Sequence, residues 1–189
     1  IKECCIEYSG NDIIKETTSK NSKTISETLY EYNDKGNLIK ETDTVSNTVT
    51  EYKYDLDGNE VSSLQKDEGI KIYETRNIFD ENGNVKRTYE AYGNKAIDTS
   101  SQNKAACSYE YDLMGRVTKS VEEGITRQSE YDFLGRETKV TESDSSGESQ
   151  IETERNMTYN GNGSLLSESE VNGVTKQYTY DSRNRNLSV

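Results

Sequence analysis

The chain has 189 residues and is acidic, with 35 Asp and Glu against 23 Lys and Arg, and it contains no His. The resulting net charge of −12 argues against nucleic acid or anionic lipid as a partner, and the lack of His excludes the commonest general base and transition-metal ligand. Only 33 residues are Leu, Ile, Val or Phe, a composition typical of disorder, but 14 are Tyr, which favours pleated sheets.

A six-residue motif recurs along the chain. It consists of an aromatic residue, Asp or Asn, two variable residues, Gly, and a polar residue. The copies occupy residues 32–37, 54–59, 79–84, 111–116, 131–136, 159–164 and 180–185, and a shortened copy begins at Tyr8. The aromatic positions are Tyr32, Tyr54, Phe79, Tyr111, Tyr131, Tyr159 and Tyr180, and the acidic ones are Asp55, Asp80, Asp112, Asp132 and Asp181. The glycines are Gly36, Gly58, Gly83, Gly115, Gly135 and Gly163, with Asn184 in the last copy.

Each motif position suits a tight turn. Asp or Asn after a strand accepts hydrogen bonds from backbone N–H groups further on and so opens a type I turn. Gly three residues later supplies the positive φ that a three-residue hairpin loop needs. Asn184 fits this interpretation, because Asn tolerates the left-handed region better than other residues with a side chain.

The segments on both sides of the motif alternate with period two. Eleven of the 14 tyrosines lie at the motif aromatic or two residues before it, on one face of a strand. A second chain reversal is predicted in each of several repeats, at 46–47, 68–69, 123–124 and 172–173. In three of these pairs the second residue is Gly. The sequence therefore predicts an all-β fold in which antiparallel hairpins lie side by side in one extended, twisted or curved sheet. A one-layer sheet also explains the shortage of aliphatic residues.

The motif closely resembles the YD repeat of the Rhs (rearrangement hot spot) family. That family includes bacterial Rhs and wall-associated proteins, the C component of insecticidal Tc toxin complexes, and animal teneurins. The resemblance extends from Tyr8 to Arg185 and is most specific at 111–136. It implies a strip of hairpins that forms part of a hollow shell, which encloses an effector in toxins and presents a surface to another cell in adhesive members.

Two interpretations apply to Arg116 and Arg136, which follow the turn glycines. They could form a ladder for anionic ligands, or they could pair with Asp112, Asp132 and Glu residues of adjacent strands. The second is favoured, because other copies have Asn or Ser at this position and would interrupt a basic stripe.

The acidic turns and the cysteines predict no metal site. The turns at 55–59 and 80–84 lack the spacing of known calcium loops, and turn formation alone accounts for their Asp residues. Cys4 and Cys107 each precede a motif tyrosine by four residues, which predicts small buried residues on the tyrosine face. No catalytic residue and no cofactor is predicted.

The tyrosines suggest one binding hypothesis. Those on the motif register are expected to pack across strands. Tyr73, Tyr89 and Tyr92 fall outside it and are predicted to be exposed, where aromatic rings could stack on sugars. The polar insertion at 93–104 is the favoured place for a partner, and a second loop at 142–149 is similar.

These observations predict one array of seven to eight hairpins over residues 1–189, a section of a longer bacterial protein that is secreted or on the cell surface. Its expected role is a non-enzymatic scaffold, and its expected partner is the rest of its own chain. The alternative is a carbohydrate-binding adhesive module that contacts glycans or another cell-surface protein. Unpaired sheet edges would also allow an edge-to-edge dimer. No membrane insertion is expected.

Overall fold

The computed structural model describes residues 2–101, 105–144, 151–171 and 173–188. They fall into two compact units, residues 1–106 and 107–189. The strands of the first unit are β1 (Lys2–Ser9), β2 (Asp12–Lys20), β3 (Lys23–Tyr32), β4 (Leu38–Asp43), β5 (Thr48–Tyr54), β6 (Glu60–Asp67), β7 (Ile70–Phe79) and β8 (Val85–Tyr92).

The described residues of the second unit form nine strands. They are β9 (Cys107–Tyr111), β10 (Val117–Glu122), β11 (Ile125–Tyr131), β12 (Glu137–Asp144), β13 (Ile151–Tyr159), β14 (Leu165–Glu170), β15 (Thr175–Gln177), β16 (Thr179–Tyr180) and β17 (Asn186–Ser188). The loop tip at 145–150 and Asn172 lie outside the described residues, as do 102–104 of the insertion.

Within each unit, strands that follow one another along the chain pair antiparallel, except that β16 pairs with β17 as a separate ribbon after β15. The predicted fold class, an all-β array of antiparallel hairpins, is therefore confirmed. A bulge precedes the motif aromatic wherever the motif turn joins two described strands, for example between Glu130 and Tyr131. The described residues contain no helix that could span a membrane.

Three of the described reversals between motif turns are two-residue loops. Glu68-Gly69 and Glu123-Gly124 have positive φ at both residues, the geometry of a type I′ turn. Asn21 and Ser22 form a third such turn, at φ 51° and 61°, which the sequence analysis did not identify. A polar residue without Gly can therefore complete this reversal.

Few apolar side chains are buried. Among the described residues, the buried apolar ones are Tyr89, Ala91 and Val140. Cys4 and Cys5 are exposed and Cys107 is half-buried, so the prediction of a buried Cys4 was wrong. Cys4 lies on β1, whose only strand partner among the described residues is β2.

Candidate functional site

The motif turn is held by its acidic side chain. At the 131–136 copy, Oδ1 of Asp132 accepts hydrogen bonds from the backbone N–H of Leu134 at 2.9 Å and of Arg136 at 3.0 Å. The Gly135 N–H donates to the Asp132 carbonyl at 3.0 Å, and Gly135 has φ 85°. The Asp132 side chain thus accepts from the N–H groups on either side of Gly135, and the Asp132 backbone carbonyl accepts from the Gly135 N–H between them.

The other copies repeat this arrangement. In the 159–164 copy, Oδ1 of Asn160 accepts from the N–H groups of Asn162 and Ser164 at 3.0 and 2.9 Å. In the last copy Asn184 occupies the glycine position with φ 62°. Residues at the glycine position have a positive φ in every described motif turn, between 62° and 92°. They are Gly36, Gly58, Gly83, Gly115, Gly135, Gly163 and Asn184.

Hydrogen bonding changes the acidity of the turn carboxyls. The backbone N–H of Arg136 holds the pKa of Asp132 below its ordinary value, and Arg136 adds a side-chain hydrogen bond. At Asp55 the largest cause of the lowered pKa is the side chain of Asn59. The same direction holds at Asp80, Asp112 and Asp181.

These shifts predict acid destabilisation. A carboxyl whose pKa is lower in the folded than in the unfolded state stabilises the fold above its unfolded pKa, and that contribution is lost as the pH falls through the folded pKa. Urea unfolding should therefore give a nearly constant free energy near neutral pH and a decline below about pH 4.

The Asp132→Asn variant provides the control, because Asn33 and Asn160 show that the turn forms with an amide. It should be less stable than the wild type at pH 7 and should lose less stability on acidification. Equal acid-induced losses in the two proteins would contradict a role for Asp132.

The residue after the turn glycine joins one repeat to the next. Arg136 donates to Oδ2 of its own Asp132 at 2.7 Å and to the backbone carbonyl of Asn160 in the next turn at 3.1 Å. Its guanidinium lies 4.7 Å from the centre of the Tyr159 ring. This combines a charge-assisted hydrogen bond with a cation–π contact.

Arg116 makes the same set of contacts. It donates to Oδ2 of Asp112 at 2.6 Å and to the carbonyl of Asp132 at 3.2 Å, and it lies 4.7 Å from the Tyr131 ring centre. The side chains of Asn59 and Asn84, at the same position in other copies, donate to the carboxylates of Asp55 and Asp80 in their own turns. The guanidinium groups of Arg116 and Arg136 thus donate hydrogen bonds to groups of the protein itself.

The motif tyrosine completes the junction from the other side. Its hydroxyl donates to the backbone carbonyl of the first or second residue after the turn of the preceding repeat, at 2.7 to 2.9 Å. The pairs are Tyr32 to Ile13, Tyr54 to Leu38, Tyr131 to Val117, Tyr159 to Glu137, and Tyr180 to Leu165. The hydroxyl therefore serves the fold in these five copies.

The copy with Phe79 lacks the tyrosine hydroxyl, and another side chain supplies the hydrogen-bond donor. Glu60 occupies the position whose carbonyl should accept from the motif aromatic. Here Nδ2 of Asn77, two residues before Phe79 on the same strand face, donates to the Glu60 carbonyl at 3.0 Å. One junction hydrogen bond is thus preserved by a different side chain.

This substitution gives a test by double mutation. Asn77→Ala alone should lower the free energy of unfolding by about 1 kcal/mol, because the Glu60 carbonyl loses its donor. In a Phe79→Tyr background the same Asn77→Ala change should cost less, since the tyrosine hydroxyl can donate instead. Equal costs in both backgrounds, measured by urea unfolding, would show that the two side chains do not serve one acceptor.

A second tyrosine, two residues before the motif aromatic, pairs with a carboxylate of the preceding repeat. Tyr30 donates to Glu16, Tyr52 to Glu41 and Tyr178 to Glu168, at 3.3 to 3.4 Å. Burial, with Glu41 nearby, raises the pKa of Tyr52 to about 12. Tyr109 instead donates to Glu122 of its own repeat, at 2.7 Å.

Where this tyrosine is missing, so is the glutamate. The tyrosine position is occupied by Asn77, Ser129 and Met157 in the remaining copies, and the matching glutamate position by Ser63, Ser120 and Val140. In these three pairs both members differ together, whereas Tyr109 keeps the tyrosine although Thr88 occupies the matching glutamate position.

The strand register at the junctions follows one rule. We call the last residue of each motif, which follows the turn glycine, the Arg position. The residue three positions after the Arg position pairs with the residue three positions before the aromatic of the next motif. The pairs are Lys40 with Glu51, Ser62 with Arg76, Lys119 with Gln128, Lys139 with Asn156, and Ser167 with Gln177. Extended by three residues, this register brings the Arg position beside the aromatic that it contacts.

The three tyrosines predicted to be exposed differ in their exposure in the structure. Tyr89 is 1% exposed, so that prediction was wrong for this residue. Its hydroxyl donates to the Ser101 carbonyl at 3.4 Å, which places the insertion against this strand face. Tyr92 lies on the opposite face and is 64% exposed, and its ring centre is 4.9 Å from that of the half-buried Tyr73.

Residues 32–69 match the family model of the RHS repeat. This match confirms the resemblance to Rhs repeats that the sequence analysis identified. No curated protein sequence matches the chain.

Solved structures share the fold. The Tc holotoxin pore of Photorhabdus luminescens with a TccC3 mutation is 16% identical, with a TM-score of 0.52. The crystal structure of TcdB2-TccC3-Cdc42 is 15% identical, with a TM-score of 0.52. A TcdB2-TccC3 structure without the hypervariable C-terminal region is 16% identical, with a TM-score of 0.50. Each match covers 93% of this chain and 12% of the other chain.

Proposed function

We propose that the chain is a stretch of shell wall in a longer protein of the Rhs kind, and that it has no catalytic role. The shell would enclose a toxin effector or present a surface to another cell. On this proposal the chain works outside the cell or at its surface, and its main partner is the remainder of its own chain.

One observation carries the proposal: the polar groups of the repeated motif act on the neighbouring repeat. Arg136 and Tyr159 contact each other, and each also contacts the backbone of the other's repeat. A wall needs such junctions at regular intervals. The similar folds come from Tc toxin complexes, which agrees with this role.

Electron cryomicroscopy of the native protein that carries residues 1–189 tests the proposal. The sheet is expected as part of the wall of a hollow particle, with the motif turns of successive repeats in a row. A solid structure, in which a second layer packs against both faces of the sheet, would contradict it.

A glycan-binding role is the second candidate, and Tyr92 is the observation that favours it. Its exposed ring, tilted 43° against Tyr73, offers an apolar face beside the Glu90 carboxylate, to which the Tyr92 hydroxyl donates at 3.3 Å. Aromatic faces beside hydrogen-bonding groups are suited to sugar rings.

A glycan array separates the two candidates. Binding by the wild type that is lost in Tyr92→Ala, with an unchanged circular dichroism spectrum, would support the adhesive role. Leu56→Ala, at an exposed turn tip in the same unit, is the matched control and should bind as the wild type does. If the wild type binds no glycan on the array, the adhesive role is rejected and the scaffold role remains as the one proposal.

A further inference from the structure

A cavity lies on one sheet face of the first unit, next to the described part of the 93–104 insertion. Its volume is about 410 Å³, and small-molecule sites occupy about 300–1,000 Å³. Lys53 on β5, Ser62 and Leu64 on β6 and Arg76 on β7 line it from the sheet, and Thr99 lines it from the insertion. The cavity is therefore large enough to hold a small organic molecule.

The insertion is anchored on both sides of the residue that lines the cavity. Nζ of Lys71 donates to the Lys95 carbonyl at 2.6 Å, and the Tyr89 hydroxyl donates to the Ser101 carbonyl at 3.4 Å. Thr99 lies between these two anchors in the chain and lines the cavity. The insertion thus adds a hydroxyl group to a lining that otherwise comes from the sheet.

The cationic end of the cavity spans three strands. Lys53 pairs in register with Ser62, and Ser62 pairs with Arg76. The side chains of this first row therefore project from the same sheet face. Arg76 directs Nε and Nη2 to Glu74, at 3.1 and 3.0 Å, which leaves Nη1 available to a ligand. Within the described residues Lys53 makes no ion pair, so its ammonium group is available as well.

The opposite end of the cavity carries two carboxylates. In this second row Glu51 pairs with Leu64, and Leu64 pairs with Glu74, two residues further along each strand. At about 3.4 Å per residue, the two rows lie roughly 7 Å apart. Both glutamates line the cavity, with Leu64 between them. The cavity therefore has hydrogen-bond donors at one end and acceptors at the other.

Each carboxylate of the second row already has a lysine. Glu51 pairs with Lys66 at 2.7 Å, and Glu74 pairs with Lys71. Because these pairs neutralise both glutamates, the two cations of the first row give the cavity a positive excess, although the chain has a net charge of −12. A local positive excess favours an anionic group at this place.

We propose that this cavity binds a small sugar with one anionic group, either a sugar acid or a sugar phosphate. The anionic group would accept hydrogen bonds from the Lys53 ammonium, Nη1 of Arg76 and the Ser62 hydroxyl. The sugar hydroxyls would donate to the two carboxylates of the second row, and the apolar face of the ring would cover Leu64.

The site is independent of the proposed function. Lys53 lies between Tyr52 and Tyr54 on β5, so it projects from the face opposite to these tyrosines. Tyr92 pairs with Tyr73, which precedes Glu74 on β7 and therefore projects away from the cavity. Neither the wall nor the Tyr92 surface would be needed for this ligand to bind.

An NMR titration of the isotopically labelled chain with D-glucuronate, glucose 6-phosphate and neutral D-glucose tests the proposal. One or both anionic sugars should shift the backbone amide signals of Ser62, Arg76 and Thr99 to saturation, and glucose should not. A response to glucuronate alone would assign a carboxylate ligand. A response to glucose 6-phosphate alone would assign a phosphate ligand.

Lys53→Met is the decisive variant, because it removes the ammonium group and retains an unbranched apolar side chain. It should weaken binding of the anionic sugar about tenfold or more, with an otherwise unchanged amide spectrum. Lys86→Met, at an exposed position on the opposite face of β8, is the matched control. This control should bind as the wild type does.

Three results would each overturn the proposal: no binding of either anionic sugar, equal binding of glucose, or equal affinity of Lys53→Met and the wild type. If Lys53→Met does not fold, Ser62→Ala decides instead. It should weaken binding about threefold, because the anionic group loses a hydroxyl donor, and an unchanged affinity would overturn the proposal.

Discussion

Gly135→Val is expected to lower the free energy of unfolding by more than about 2 kcal/mol. At φ 85° a β-branched residue is strained, by about 1–3 kcal/mol. A Cβ atom at this position would also lie 3.5 Å from Nη1 of Arg116, so the larger valine side chain should disturb the guanidinium that contacts Tyr131 and Asp132. Urea unfolding of the two proteins measures the difference.

Gly161→Val is the matched control. Gly161 lies in the variable part of its turn, is absent from the residues with positive φ, and has no atom near its would-be Cβ. Its substitution should cost well under 1 kcal/mol. Gly135→Asn should lie between the two, because Asn184 adopts the same conformation in the last copy. Equal costs for valine at 135 and 161 would show that the turn glycine is not conformationally required.

The sequence was sufficient to predict the turns because their chemistry is local. Asp132 and Gly135 are three residues apart, and the hydrogen bonds they make are within the same six residues. Period-two alternation then predicted which segments are strands. The fold class follows from these two signals.

Contacts between repeats were harder to predict because they join residues far apart in the chain. The interpretation that Arg136 pairs with Asp132 did not include Tyr159 or the Asn160 carbonyl. Tyr89 is buried and donates to the carbonyl of Ser101 in the described part of the insertion, and no periodicity predicts where an insertion packs. Cys4 is exposed, as is every residue of β1, although it lies on the same strand face as Tyr8 by the period-two pattern.

One junction signal was present in the sequence. Tyrosine two residues before the motif aromatic occurs together with glutamate in the preceding repeat in three pairs, as in Tyr52 and Glu41, with Tyr109 as the exception. An alignment of the repeats against one another, shifted by one copy, would reveal this pairing. The same comparison would single out Phe79, whose missing hydroxyl is replaced by Asn77.

Arg136→Ala is expected to lower the free energy of unfolding by about 2 kcal/mol. The guanidinium is mostly covered, and its loss removes a cation–π contact worth about 1 kcal/mol and a charged hydrogen bond to the Asn160 carbonyl worth about 1.5 kcal/mol, less relaxation. Arg136→Asn should recover part of the loss, because Asn59 and Asn84 bind their own turn carboxylate. Urea unfolding at pH 7 is the measurement.

A double-mutant cycle isolates the junction from the turn. Arg136→Ala combined with Tyr159→Leu should show a coupling energy of about 1 kcal/mol, because the two side chains stack on each other. The matched cycle of Arg185→Ala with Tyr159→Leu should show none, because Arg185 binds the carboxylate of Asp181 in its own turn, whereas it is Arg136 that stacks on the Tyr159 ring. Both cycles are measured at dilute concentration, where association between copies does not contribute. Absence of coupling in the Arg136 cycle would mean that Arg136 stabilises only its own turn, and that the arginine does not join neighbouring repeats.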